Sequence, residues 1–149
     1  VAGILSNTSV WAPDTMALPA KAWSGRGRPP NRIRRDARHR PISVKALALG
    51  LPKGAWRTIR WREGSADWMS SRFARVRVRA AHRDTRLAKG RPEEWLLIEW
   101  PKGERKPTKY WLATVPDDIP FARLVDLTKL RWRIERDYQE LKQELGLGH

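Results

Sequence analysis

Alternation of apolar and polar positions marks the middle of the chain as strands. In SSRFARVRVRAAH (70–82), Ala74, Val76, Val78 and Ala80 alternate with Arg75, Arg77 and Arg79. That period of two belongs to a half-buried strand, with one small apolar face and one face carrying a row of arginines. AWRTIRWREG (55–64) predicts another strand. WLLIEW (95–100) and KYWLATV (109–115) flank the polar loop PKGERKPT and predict a hairpin. VAGILSNTSVW (1–11) reads as a core strand running into a loop. Ser43 is placed to cap a short helix over VKALALGL, which Gly50 and Pro52 end. Asp118 and Pro120 announce a longer helix from Phe121 to Leu145, with a bend near Lys129 and Gly146 and Gly148 beyond it. The chain is therefore expected to be mixed α and β, with a strand-rich middle.

The long helix carries two stripes. Arg131, Glu135, Tyr138 and Lys142 fall within roughly 60° of arc at 100° per residue. Leu127, Leu130, Ile134, Leu141 and Leu145 form an apolar stripe about 20–80° further round. If the apolar stripe faces the core, the polar row sits at the rim of the buried face, where a cleft can open. Lys129, Arg133, Arg136 and Glu140 then point away. The same row also reads as ordinary helix electrostatics, since Arg131 and Glu135 are an i,i+4 ion pair worth about 0.3–0.5 kcal/mol.

Composition permits a core, because hydrophobic residues make up 40% of 149. No apolar run approaches the ~18 residues of a membrane span. Cysteine is absent and the histidines are His39, His82 and His149, so disulfides and Cys/His zinc sites are excluded. A metal site would need carboxylates and a hard cation. The net charge of +15 is unevenly placed: residues 21–91 hold 21 Lys/Arg against 4 Asp/Glu, while the other 78 residues hold 10 against 12. A basic block beside a balanced one fits a polyanion-binding surface, or a surface that only confers solubility. Within that block, KAWSGRGRPPNRIRRDARHRP (21–41) reads as an exposed, extended connection. Trp61, Trp95, Trp100 and Trp111 sit in strand patterns and are expected to pack.

Arg131, Glu135 and Lys142, spaced by three and six residues around the text RW-x-IE, resemble a signature of DDE transposases of the insertion-sequence-four superfamily. RWRIERDYQELKQELGLGH, with WREG (61–64) and RFARVRV (72–78), looks most like its IS-seven-hundred-one branch. The family's tyrosine slot falls on Thr128, which keeps a hydroxyl and loses the ring. The resemblance implies part of a ribonuclease-H-like α/β core, a mixed sheet with flanking helices. Residues 1–20 would be a core strand and loop, 21–108 a basic, strand-rich insertion, and 109–149 the last core strand and catalytic helix. Three carboxylates would hold two Mg2+ ions that activate the attacking oxygen and stabilise the leaving one. Glu135 matches the third carboxylate and metal ligand. Arg131 and Lys142 match the residues that hold the transposon end, and Trp132 is expected to pack.

The first two carboxylates would precede VAGIL, so the chain reads as a piece of a longer enzyme that does not cut DNA alone. The partners implied are transposon-end and target DNA, with a homodimer in the full-length protein and a bacterial cytoplasmic, nucleoid-associated location. RGRP, with Arg26 and Arg28, resembles the core of an AT-hook, whose arginines enter a narrow minor groove; a solvated linker is the alternative. Arg75, Arg77 and Arg79 would lie along a phosphate backbone. Two other readings compete with a transposase piece: a non-catalytic nucleic-acid-binding module and a decayed remnant.

Overall fold

The computed structural model describes residues 1–62 and 67–146. The elements run β1 (Ala2–Ile4), β2 (Ser9–Trp11), β3 (Ile42–Ser43), α1 (Val44–Leu49), β4 (Arg57–Arg62), β5 (Trp68–Ala80), β6 (Glu93–Trp100), β7 (Lys109–Ala113) and α2 (Phe121–Glu144). The class is mixed α and β, as the periodicities predict. The strands form one sheet in the order β1-β7-β6-β5-β2-β3, with β4 also on β5. Every pairing among the described residues is antiparallel, whereas the resemblance implied a mixed sheet. The short β6–β7 connection accounts for part of this, since parallel neighbours need long crossovers. The sheet runs through all three segments expected at 1–20, 21–108 and 109–149.

β5 organises the sheet. One edge pairs with β6 from Arg72 to Arg79, and the other meets β4 at Trp68–Phe73 and β2 at Arg79–Ala80. Its alternation separates two cores. Val76 and Val78 face Leu96, Ile98 and Tyr110, with Val44, Leu47 and Ala48 of α1 packed over them. Phe73 faces the other way, against Trp61, Leu97, Trp111 and the Leu124–Val125 turn of α2. The α1 cap is as expected: Ala46 N–H donates to Ser43 Oγ at 3.0 Å. Thr8 and Ser6 carbonyls accept from Val44 and Lys45, which satisfies two more donors of that first turn. VAGIL differs from its expectation. It is a sheet edge on β7, with Ala2 and Gly3 exposed, because no described strand pairs on its outer side.

α2 is one helix from Phe121 to Glu144. Its first turns are packed. Leu124, Val125 and Thr128 are buried, but Leu130, Ile134, Leu141 and Leu145 are 44–59% exposed. The apolar stripe therefore does not face the core, which corrects the expectation. Lys129 still reaches the sheet, at Glu99, Trp61 and Trp111, and past it the large apolar side chains described on the helix are exposed. Trp132's side chain, Glu63, Gly64, Gly148 and His149 lie outside the described residues.

Candidate functional site

The polar row on α2 holds together as two contacts within the helix. Arg131 Nε donates to Glu135 Oε1 at 3.1 Å, and Lys142 Nζ lies 4.8 Å from the Tyr138 ring centroid. Both side chains of the first pair are about 60% exposed. The row stands in solvent rather than at the rim of a buried face. Thr128, placed with this row by the signature, is buried, and its hydroxyl donates to Leu124 O at 2.9 Å. That hydroxyl is spent within the helix.

Glu135 is the one side chain singled out as a metal ligand. Among the described residues no group of three or more His, Cys, Asp or Glu forms a metal site. Glu135's ion-pair partner is a guanidinium. A Mg2+ ion wants six oxygen ligands in a near-ideal octahedron, and one carboxylate supplies at most two. These residues alone do not fit a pair of Mg2+ ions.

A cleft of about 730 Å3 opens between the β4–β5 ribbon, the β6–β7 ends and α2. Its floor is a charge pair that the sequence pattern does not announce. Lys129 Nζ donates to Glu99 Oε1 at 2.7 Å, with side chains 13% and 3% exposed. The ammonium lies over the rings of Trp61 at 4.4 Å and Trp111 at 5.3 Å. Lys129 was expected to point away from the core and instead points into it. The available signal was Glu99, the lone acid among the apolar residues LLIEW, since a buried carboxylate demands a partner. Around the mouth stand Arg60, Arg62, Lys102 and Arg123, with Trp68 beneath the guanidiniums of both Arg60 and Arg62.

The arginines of β5 are half-buried and engaged. Arg75 donates to Ile119 O at 2.6 Å and lies over Trp95 and Phe121. Burial lowers its pKa, helped by the nearby Arg57. Arg77 donates to Glu93 O and Arg79 to Arg91 O, and both approach the Glu93 carboxylate at 3.6 Å. The row is knitted into the molecule at Trp95 and the 91–93 backbone, rather than laid open along a strand. The tryptophans do pack as expected: Trp61 meets Phe73 edge-on, Trp100 meets Trp56, and Arg72 stacks on Trp100 at 4.1 Å.

The RGRP segment is exposed but not extended. Gly25 and Gly27 have φ of +89° and +72°, and the Trp23 indole donates to Gly27 O at 3.3 Å. Left-handed glycines reverse the chain, so Arg26 and Arg28 stand on a turn. The connection is pinned further along by a second charge group without a sequence signal. Asp84 is fully buried and accepts from Trp11 Nε1 and from Arg35 Nη2, each at 2.6 Å.

A family model described as DDE superfamily endonuclease matches residues 1–67, the stretch from β1 through β4. The match supports a DDE transposase-like domain. No curated protein and no solved structure matches the chain. No helix among the described residues is long and apolar enough to cross a membrane.

Proposed function

We propose that the chain forms part of the catalytic domain of a DDE transposase that cleaves and joins DNA at insertion-sequence ends. Within that reading it belongs to the insertion-sequence-four superfamily, near the IS-seven-hundred-one branch. Glu135 serves as the third carboxylate of a two-Mg2+ site, and Arg131 and Lys142 hold the transposon end. Arg26, Arg28, Arg75, Arg77, Arg79 and Thr128 belong to the DNA-binding region in its wider sense, the first two by direct contact and the others by shaping the surface. Residues 21–108 act as a basic insertion that shares its sheet with the rest. The full-length protein pairs as a homodimer on two ends, in the bacterial nucleoid.

One observation carries this reading. The family match covers residues 1–67, and the helix signature lies at 128–142. The two stretches do not overlap, yet they point independently to the same class. Because Glu135 belongs to no group of three or more His, Cys, Asp or Glu among the described residues, cleavage requires carboxylates from elsewhere, and this chain alone does not cut.

The test is a plasmid-nicking assay with Mg2+, run beside duplex binding. Expected are duplex binding without nicking, and nicking that depends on Glu135 only when the reading frame around this segment supplies two more acids. Metal-dependent nicking by this chain, lost in Glu135→Ala, would overturn the claim that it is inactive alone. Failure to bind duplex at low salt would overturn the DNA-processing reading. A second reading, a nucleic-acid-binding module or a remnant without chemistry, draws on the same isolation of Glu135. It predicts binding unchanged by Glu135→Ala and a flanking sequence broken by stops.

A further inference from the structure

Beyond the family signature, a groove beside the Arg/Gly/Pro connection gathers Arg28, Arg32 and Arg86 around Asn31, Leu87 and Ala88. All three arginines are exposed. None of their side chains makes a hydrogen bond or ion pair with the described residues. No carboxylate lines the groove. This sets them apart from Arg75, Arg77 and Arg79, each of which donates to a backbone carbonyl.

The groove is held by a fixed frame. Ile33 is buried, and its N–H donates to Leu87 O at 2.9 Å, which ties residue 32 beside residue 86. Leu87 N–H donates in turn to Asp84 O at 2.9 Å. Asp84 is locked by Trp11 and Arg35. On the other side Leu18 and Arg34 exchange backbone hydrogen bonds at 2.8 and 2.9 Å. Three like charges in one groove repel each other, and an anion seated between them offsets that repulsion. Guanidinium forks match the oxygens of a phosphate two at a time.

We propose that Arg28, Arg32 and Arg86 form a phosphate-binding notch that grips the backbone of duplex DNA without reading its sequence. The inference rests on the DNA-processing reading and assigns Arg28 a phosphate rather than a minor groove. The notch lies near the Ala80 end of β5, and the cleft beside α2 lies near its Ser71 end. Nine residues of strand put them up to roughly 30 Å apart, so a duplex spanning both would run along β5.

The test uses the full chain and two labelled duplexes of equal length, one an A·T tract and one G·C-rich. Anisotropy gives Kobs across a salt series for wild type, Arg32→Gln, Arg86→Gln and the double variant. Removing one phosphate-gripping guanidinium should flatten the slope of log Kobs against log salt by about 0.9. The double variant is expected to lose affinity on the order of tenfold, equally on both duplexes, with an unchanged melting temperature. An unchanged slope while wild type binds would overturn the notch alone. A loss confined to the A·T duplex would overturn it in favour of minor-groove insertion. A double variant that no longer folds would show that these guanidiniums are not free, which also overturns it. A wild type that binds neither duplex would remove the DNA-processing reading as well.

Discussion

Asp84 illustrates how much one residue can hold. Its carboxylate is fully buried and accepts from an indole and a guanidinium. Asp84→Ala would leave the Trp11 donor buried without a partner and Arg35 without its counter-charge. Arg35 is 34% exposed, so water softens the second loss. The expected cost is about 2–4 kcal/mol, measurable by urea unfolding followed through tryptophan fluorescence. Glu94 gives the opposite case. Burial pushes its carboxyl above the ordinary range, against the pull of positive charges that include Arg77 and Arg91. The folded state then holds the proton more tightly than the unfolded one. Its contribution is fully present below the unfolded pKa and is lost as pH rises through the folded value. Glu94→Gln should therefore gain stability relative to wild type as pH climbs from about 4 through that window. Paired thermal melts at acid and neutral pH would reveal an unchanging gap if this is mistaken.

At the scale of elements, periodicity located strands and helices well and their partners poorly. The alternation in β5 and the Ser43 cap of α1 are local properties, set by the residues themselves, and both appear as expected. The stripe on α2 is equally local, and its spacing is that of an amphipathic helix. What covers the stripe is a tertiary fact, and Leu130, Ile134, Leu141 and Leu145 are left exposed. Leu124→Ala should accordingly cost about 2–5 kcal/mol, while Ile134→Ala should stay within about 0.5 kcal/mol. Equal costs in chemical denaturation would mean that the outer turns are packed after all. The Glu99–Lys129 pair fixes how α2 is rotated on the sheet, and with it where Arg131 and Glu135 point. Lys129→Ala should cost about 3 kcal/mol because it strands a buried carboxylate. Replacing both residues by Leu and Met should recover most of that loss, since buried pairs often exchange for apolar ones at little net cost. Neither residue could be paired from sequence, as they lie thirty positions apart on different elements.

For the molecule as a whole, the uneven charge and the RW-x-IE text were legible in the chain, and the placement of Glu135 was not. A helix signature states which residues belong together in a family but not whether their companions are at hand. Glu135 stands in solvent beside Arg131 and in no group of three or more metal-ligating side chains among the described residues. The consequence can be measured without any cleavage assay. A ligand that binds only the folded state stabilises it by RT ln(1 + [L]/Kd), about 2.7 kcal/mol at a hundredfold excess over Kd. For a domain of this size that would raise Tm by about 5–10 °C. A two-ion site whose Kd lies a hundredfold below the Mg2+ concentration would show that rise; a lone carboxylate paired with arginine would not. Melting of this chain should thus be indifferent to millimolar Mg2+ and to EDTA. A rise with Mg2+ that disappears in Glu135→Ala would mean that other acids of this chain complete the site, and that the chain binds catalytic metal by itself.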